Sequence, residues 1–251
     1  LAYLADLVEK SIDLRRVEAV MAPLAPSEEE RAVHSPAQAL VKIGVLQDAA
    51  FQFYYSENLE ALERAGAELV YINAMRDEGL PEIDGLYIGG GFPETGAREL
   101  AANTGFRLAV KRAADQGLPI YAECGGLIYL GDSIVLDGEE FPLAGIFPVR
   151  FAMAKKPQAH GYTAFRVEKA NPFYSPGELV KGHEFRYSKI LDWRGSDGQL
   201  ALEMVRGTGF LNGRDGLVYN NVLALYTHIH AEGTPQWAEK FVQRCRNWEK
   251  A

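Results

Sequence analysis

Leu118-Pro-Ile-Tyr-Ala-Glu-Cys-Gly-Gly-Leu-Ile-Tyr-Leu130 is the stretch from which the fold of this 251-residue chain can be read. It begins as a short apolar run behind Gly117 and Pro119, which predicts a buried strand. It ends in Leu127, Ile128 and Leu130, the apolar face of a helix. Only Glu123, Cys124, Gly125 and Gly126 lie between, leaving no room for a loop. A strand that turns directly into a helix at a cysteine puts the thiol on a sharp corner at the carboxyl edge of a sheet. There the positive end of the new helix favours a thiolate, and free backbone N–H groups can meet an oxyanion. Ala122 to Gly126 follow the small-x-nucleophile-x-small spacing of a nucleophile elbow. The competing account of Cys124 is a small buried core residue, as most free cysteines are.

The rest of the chain is consistent with a soluble α/β protein. It is 47% hydrophobic and 24% charged, enough to build a real core. Its net charge is −8, and its 26 basic residues are scattered rather than striped, which excludes a nucleic-acid footprint. There is no signal peptide and no apolar run near the ~18 residues a membrane span needs. Cys124 and Cys245 sit in unlike contexts and do not form a disulfide framework, so a reducing cytoplasm is the expected compartment. The chain opens on Leu-Ala-Tyr-Leu without a methionine, in mid-helix, and a fragment of a longer protein is expected.

Leu1, Leu4, Leu7, Val8, Ile12, Leu14 and Val17 recur at helical spacing and predict one amphipathic helix over residues 1–20. Residues 21–38 hold three prolines and a Ser-Glu-Glu-Glu run and read as a solvated linker. The main domain is expected to start near residue 40, giving 1–39 as a helical tail and 40–251 as the functional domain. Val41 to Leu46 is a buried strand. Ser56 caps a helix through Leu59 and Leu62 that Gly66 ends, and Ala67 to Ile72 is a second strand, a βαβ unit favouring a parallel sheet. Asp84 to Ile88 is a third strand, followed by a glycine loop and a helix from about Pro93 to Gln116. Beyond residue 131 the pattern is one of short strands: Phe141 to Val149, Gly161 to Val167, Glu184 to Leu191, Ala201 to Arg206 and Val222 to Tyr226. Asp215-Gly216 and Asn220-Asn221 read as turns around Leu217-Val-Tyr219. Pro235 opens a closing helix in which Cys245 packs one turn from Phe241.

Gly89-Gly90-Gly91 stands between a strand and a helix. The dinucleotide fingerprint fails there, because its last glycine falls at Glu94, and no G-x-x-x-x-G-K-[ST] occurs. A glycine loop beside a cysteine elbow instead supplies oxyanion donors for acyl transfer; a tight structural turn reads equally well. A nucleophilic thiol needs a base. Of the five histidines, His228 and His230 follow an apolar strand and face one side, with His228 at the strand's exit; a surface pair is the competing reading. H-x-H also suggests zinc, but no further ligand accompanies it, so no metal site is expected. In Gly182-His183-Glu184-Phe185-Arg186-Tyr187, His183, Phe185 and Tyr187 share one strand face and Glu184 and Arg186 the other. An exposed strand with a Glu–Arg pair is the simplest reading.

Six stretches in order resemble the glutaminase domain of the cobyrinic acid a,c-diamide synthase family, class I cysteine-dependent glutamine amidotransferases. They are Phe53-Tyr-Tyr-Ser-Glu-Asn-Leu59, Leu86-Tyr-Ile-Gly-Gly-Gly-Phe-Pro-Glu94, Tyr121-Ala-Glu-Cys-Gly-Gly-Leu-Ile-Tyr-Leu130, Gln158 with Gly161-Tyr162, Gly182-His-Glu-Phe-Arg-Tyr-Ser188 and Asn221-Val-Leu-Ala-Leu-Tyr-Thr-His-Ile-His230. The resemblance spans about residues 42 to 247. It implies a class I amidotransferase-like three-layer α/β sandwich with a mixed sheet, parallel first and antiparallel later. It also implies that Cys124 attacks the carboxamide of L-glutamine with His228 assisting. Backbone N–H groups near Gly90, Gly91 and Gly125 would form the oxyanion hole. Ammonia would pass to an upstream synthetase domain, of which residues 1–39 are the tail. That domain would use ATP and Mg to amidate carboxylates of a corrin or other tetrapyrrole; this chain itself would hold no cofactor. Residues 150–160 fit the family loosely, so sirohaem or another sirohydrochlorin derivative is an alternative acceptor. A homodimer is compatible with the resemblance. Two rival readings are a cysteine hydrolase or peptidase on the same elbow and a non-catalytic binding domain. The glutamate that most class I enzymes carry two residues after the histidine is His230 here. Glu123, Glu184 and His230 are therefore candidates to orient His228, and Glu94 and His183 are further candidates for contacts to substrate.

Overall fold

In the computed structural model the described residues are 2–21 and 39–248. The chain divides into two compact units, Leu1–His34 and Ser35–Ala251. In the first, the expected single helix is two: α1 (Ala2–Ser11) and α2 (Leu14–Val20). The break falls at Asp13, whose carboxylate accepts the Arg16 N–H at 3.1 Å and caps α2, because a short acidic side chain competes with helix continuation. The stretch read as a linker lies mostly outside the described residues.

The second unit runs β1 (Val41–Leu46), α3 (Ser56–Arg64), β2 (Ala67–Ile72), β3 (Gly85–Ile88), α4 (Ala97–Ala102), α5 (Thr104–Asp115), β4 (Ile120–Glu123) and α6 (Gly125–Tyr129). The strand-rich half continues with β5 (Gly131–Leu136), β6 (Glu139–Pro142), β7 (Phe147–Met153), β8 (Ala159–Val167), β9 (Leu179–Arg186) and β10 (Ser188–Trp193). It closes with β11 (Leu200–Arg206), β12 (Arg214–Tyr219), β13 (Val222–Leu225), β14 (His228–Ile229) and α7 (Trp237–Arg246).

Ten strands form one mixed sheet in the order β14-β9-β8-β11-β12-β13-β4-β3-β1-β2. β13, β4, β3, β1 and β2 pair in parallel; the pairs from β13–β12 out to β9–β14 are antiparallel. This is the class I amidotransferase-like α/β sandwich expected from the motifs. Every residue of β3, β4 and β13 is buried, as befits parallel strands covered on both faces. On one face Leu62 of α3 joins Trp237 and Phe241 of α7 in the core. On the other, Leu100, Phe106 and Val110 of α4 and α5 pack with a second sheet, β10-β7-β5-β6.

That second sheet is where the strand readings change. Phe141 to Val149 is not one strand, because the Leu143–Ile146 backbone bonds back to residues 129–132. The predicted strand Glu184 to Leu191 splits at Tyr187: β9 belongs to the large sheet and β10 to the small one. The predicted helix from Pro93 to Gln116 is broken at Asn103, whose side chain accepts the Phe106 N–H and caps α5. Ser56 is the first residue of α3 rather than its cap, which is Tyr55. Asp215-Gly216 is no turn. The hairpin instead turns at Asn212-Gly213, both at positive φ, and Asp215 is a completely buried residue of β12. Cys245 packs as expected. It lies against β3 so closely that a Cβ on Gly85 would stand 2.4 Å from its Sγ.

Candidate active site

The parallel strands β3 and β4 end together, and the chain exits there through Gly89-Gly90-Gly91 and Cys124. Cys124 is the N-cap of α6, with φ 47° and ψ −96°, a left-handed conformation that a side chain adopts only at a cost of roughly 1–3 kcal/mol. The surroundings impose it. The Cys124 N–H is tied to Leu225 O at 2.8 Å, and the Gly126 N–H to Gly89 O at 3.1 Å. Gly126 is required for close approach, since a Cβ there would stand 2.4 Å from Ile88 O. The elbow read from Ala122 to Gly126 is therefore a sterically fixed corner. It holds Cys124 at the wall of a pocket shared with Phe92, Glu94, Met153, Phe185 and Tyr187.

His228 opens β14 and is buried beside the thiol. Its Nδ1 lies 3.3 Å from Glu123 Oε2, which leaves Nε2 for the sulfur. Glu123 is buried, and its other oxygen accepts the Ile229 N–H at 3.3 Å. Tyr87 OH reaches Glu123 Oε2 at 3.5 Å, and Asn58 braces the group by donating to Tyr87 OH and to Ile229 O. Burial works against a charge on His228. The neighbouring Cys124, through its charge and a hydrogen bond, and then Glu123 outweigh it and hold the imidazole pKa up at about 10. The His228 ring is thus held in its charged form at neutral pH.

His183 stacks on His228, with ring centroids 4.9 Å apart and planes at 24°. Burial and the positive charge of His228 push its own pKa down to about 4, so a neutral imidazole caps the charged one. Phe53 closes the edge of His228 at 4.8 Å. Glu94 lies in the pocket, and burial raises its pKa.

Four expectations change. Glu184 does not orient His228. It is buried on the other face of β9, accepts the Gly209 N–H at 2.9 Å and lies 4.0 Å from Arg186 Nε. The Glu184–Arg186 face is buried rather than exposed, because β9 is covered by the curl of the sheet. His230 is turned away toward the Tyr55 ring and Glu57, and its Nδ1 accepts the Glu232 N–H. Gly90 differs as an oxyanion donor, because its N–H donates to Phe53 O at 3.1 Å. Its role is steric: a Cβ there would stand 2.4 Å from His228 Cε1. Gly91 N–H makes no hydrogen bond among the described residues. Gly125 opens α6, where the first N–H groups have no intrahelical acceptor. A Cβ on Gly125 would lie 3.0 Å from Gly91 N, so the two residues pack closely, and Gly91 shares the pocket wall with Cys124. With Gly89 N–H held by Tyr54 OH and Gly90 N–H by Phe53, the glycine loop is closed to phosphate.

Gly90→Ala is expected to lower the catalytic reactivity of Cys124 about 10²-fold while the protein remains folded, because the His228 ring, clamped by Glu123 and His183, has nowhere to retreat. Steady-state kinetics beside a circular-dichroism spectrum check this. Glu123 as the orienting acid was one of three candidates in the sequence. Asp215, whose carboxylate takes the N–H groups of Tyr226 and Thr227, carried no sequence signal beyond a misleading Asp-Gly pair.

Among solved structures, a glutamine amidotransferase superposes with a TM-score of 0.57 at 22% identity, covering 81% of this chain and 98% of that one. The structure of PurLQS from Thermotoga maritima gives 0.57 at 18% identity, over 82% and 96%. At these identities the likeness shows the fold. The cobyrinate a,c-diamide synthase of Magnetococcus marinus is 39% identical over 92% of this chain and 51% of its own length. That of Archaeoglobus fulgidus is 37% identical over 96% and 53%. The chain therefore spans about half the length of the curated relatives it matches. Residues 42–236, which carry the elbow, the glycine loop and His228, match the CobB/CobQ-like glutamine amidotransferase domain, and the chain belongs to that family.

Proposed function

We propose that this chain is the glutaminase part of an ATP-dependent amidoligase that amidates carboxylates of a corrin such as cobyrinate. The observation that carries the reading is the meeting of Cys124, in its left-handed elbow, with a His228 ring held by Glu123. The thiolate of Cys124 attacks the side-chain carbonyl carbon of glutamine. The resulting oxyanion lies against the Gly91 and Gly125 amides, and a donor aimed at developing charge is worth about 10²–10³-fold in such reactions. The His228 proton moves to the leaving nitrogen, ammonia departs, and a γ-glutamyl thioester remains. Water, deprotonated by the now neutral His228, releases glutamate. Glu94, the acidic group of the pocket, is assigned to the α-ammonium of glutamine.

Ammonia passes to the half of the relatives' length that this chain does not cover, where ATP and Mg activate the acceptor carboxylate. The matches to full-length relatives extend beyond residues 42–236, which supports reading residues 1–39 as the tail of the synthetase domain that precedes the glutaminase. A sirohydrochlorin-type acceptor would suit the same glutaminase chemistry. The two unpaired thiols suit a cytoplasmic setting, and no helix among the described residues is long and apolar enough to cross a membrane.

The test uses the complete enzyme and 6-diazo-5-oxo-norleucine, a glutamine mimic that alkylates the nucleophile of glutaminases. Mass spectrometry should find one adduct on Cys124, with glutamine protecting against it. An unlabelled Cys124, or protection by peptides or esters rather than glutamine, would overturn the assignment.

A further inference from the structure

β13 and β14 are consecutive in sequence but lie far apart in the sheet, with β9, β8, β11 and β12 between them in the pairing order. The chain spans the curl with only Tyr226 and Thr227. Just before them, Leu225 O receives the Cys124 N–H; just after them comes His228, paired with His183 of β9. The distance between nucleophile and base is thus set by the path of two residues.

Those two residues are completely buried, and leaving one strand ladder for another costs their amides a sheet partner. A buried N–H without an acceptor costs about 1–3 kcal/mol. Asp215 of β12 supplies the acceptor. Tyr226 N–H lies 3.1 Å from both carboxylate oxygens, Thr227 N–H lies 3.3 Å from Oδ2, and Gly216 N–H lies 2.9 Å from Oδ1.

We propose that Asp215 is a positioning residue of the active site, its carboxylate fixing the Tyr226-Thr227 crossover that delivers His228 to Cys124. This rests on the assignment of those two residues as base and nucleophile.

The groups around Asp215 make its hold pH-dependent. From β9 come Glu184 and Arg186. The guanidinium lies 3.9 Å over the Tyr226 ring and gives its terminal N–H groups to Ser188 O and Gly209 O rather than to Asp215. Burial first, and then the negative charge of Glu184, raise the Asp215 pKa to about 7 against the pull of the three N–H bonds. Protonation turns one acceptor into a donor facing amide donors, so the crossover is held best above neutral pH. Asp215→Asn makes the same change permanent.

The experiment follows the rate of Cys124 alkylation by 6-diazo-5-oxo-norleucine in the complete enzyme, from about pH 5.5 to 9. Wild type should show a rise centred near neutrality. Asp215→Asn should react about 10- to 100-fold more slowly and lose that rise, as expected when a reacting group is displaced by a fraction of an ångström to an ångström. Glu184→Gln keeps an acceptor oxygen for Gly209 N–H and should move the rise to lower pH. An Asp215→Asn enzyme that reacts at the wild-type rate with the wild-type profile overturns the proposal. So does a Glu184→Gln profile that stays in place, and this variant decides alone if Asp215→Asn does not fold. A wild-type enzyme whose Cys124 is not alkylated at all overturns the nucleophile assignment itself, a separate outcome.

Discussion

Cys124→Ala is expected to abolish glutamine-dependent amidation in the complete enzyme while leaving amidation with free ammonium salts near its wild-type rate. Removing a covalent nucleophile from a working Cys–His pair costs on the order of 10⁴-fold or more, because the remaining groups have nothing to activate. The substitution adds no atoms at the crowded corner where Gly126 meets Ile88 O, so the elbow and its neighbours keep their places. Ammonia from solution bypasses the thioester. Measuring both activities on one preparation separates the glutaminase from the synthetase, and loss of both would sink the division of labour between the halves.

The second large effect belongs to Glu123→Gln, expected to lower glutamine hydrolysis by about 10² to 10⁴-fold, the range for losing an oriented acid–base group. Every group that touches the carboxylate is a donor: His228 Nδ1–H, Ile229 N–H and Tyr87 O–H. An amide must therefore set its NH₂ against one of them, and it also withdraws the negative charge that supports the imidazolium. Two pH signatures should accompany the loss. Wild type is expected to show an alkaline limb near pH 10 set by His228, and this limb should move to lower pH in the variant. The stability signature follows from linkage: a histidine whose folded pKa is raised contributes stability that is fully present below its unfolded value of about 6.5 and lost as pH rises toward about 10. Denaturant unfolding across that window should show a smaller pH-dependent loss in the variant than in wild type. An unchanged alkaline limb would remove Glu123 from its orienting role.

The site was legible where chemistry is local in sequence. Ala122 to Gly126 encode the elbow because strand, nucleophile and helix follow one another without a loop. His228 could be placed because an apolar strand runs straight into it. What could not be read is what the curl of the sheet brings together. Glu123 stood out no more than Glu184 or His230, and only the approach of β14 to the end of β4 selects it. In the sequence Gly90 reads as a donor, because glycine loops often donate. Its pairing with Phe53 depends on a residue 37 positions away in the chain. Asp215 looked like a turn because Asp-Gly usually is one; here Gly216, at φ 72°, makes its bend inside a strand. The small sheet leaves no mark in the sequence for a similar reason. Tyr187 moves the chain from one sheet to the other without the glycine or proline that normally marks such a change.

The buried thiol of Cys245 makes the two cysteines of this chain chemically distinguishable. Wedged between α7 and Gly85, with its pKa pushed well up by burial and then by Asp84, it is inert while the domain is intact. A native thiol titration of this chain is expected to report Cys124 alone, and a second equivalent is expected to emerge only as the domain unfolds. The protein carries its own active-site standard and its own folding reporter, without a label being introduced.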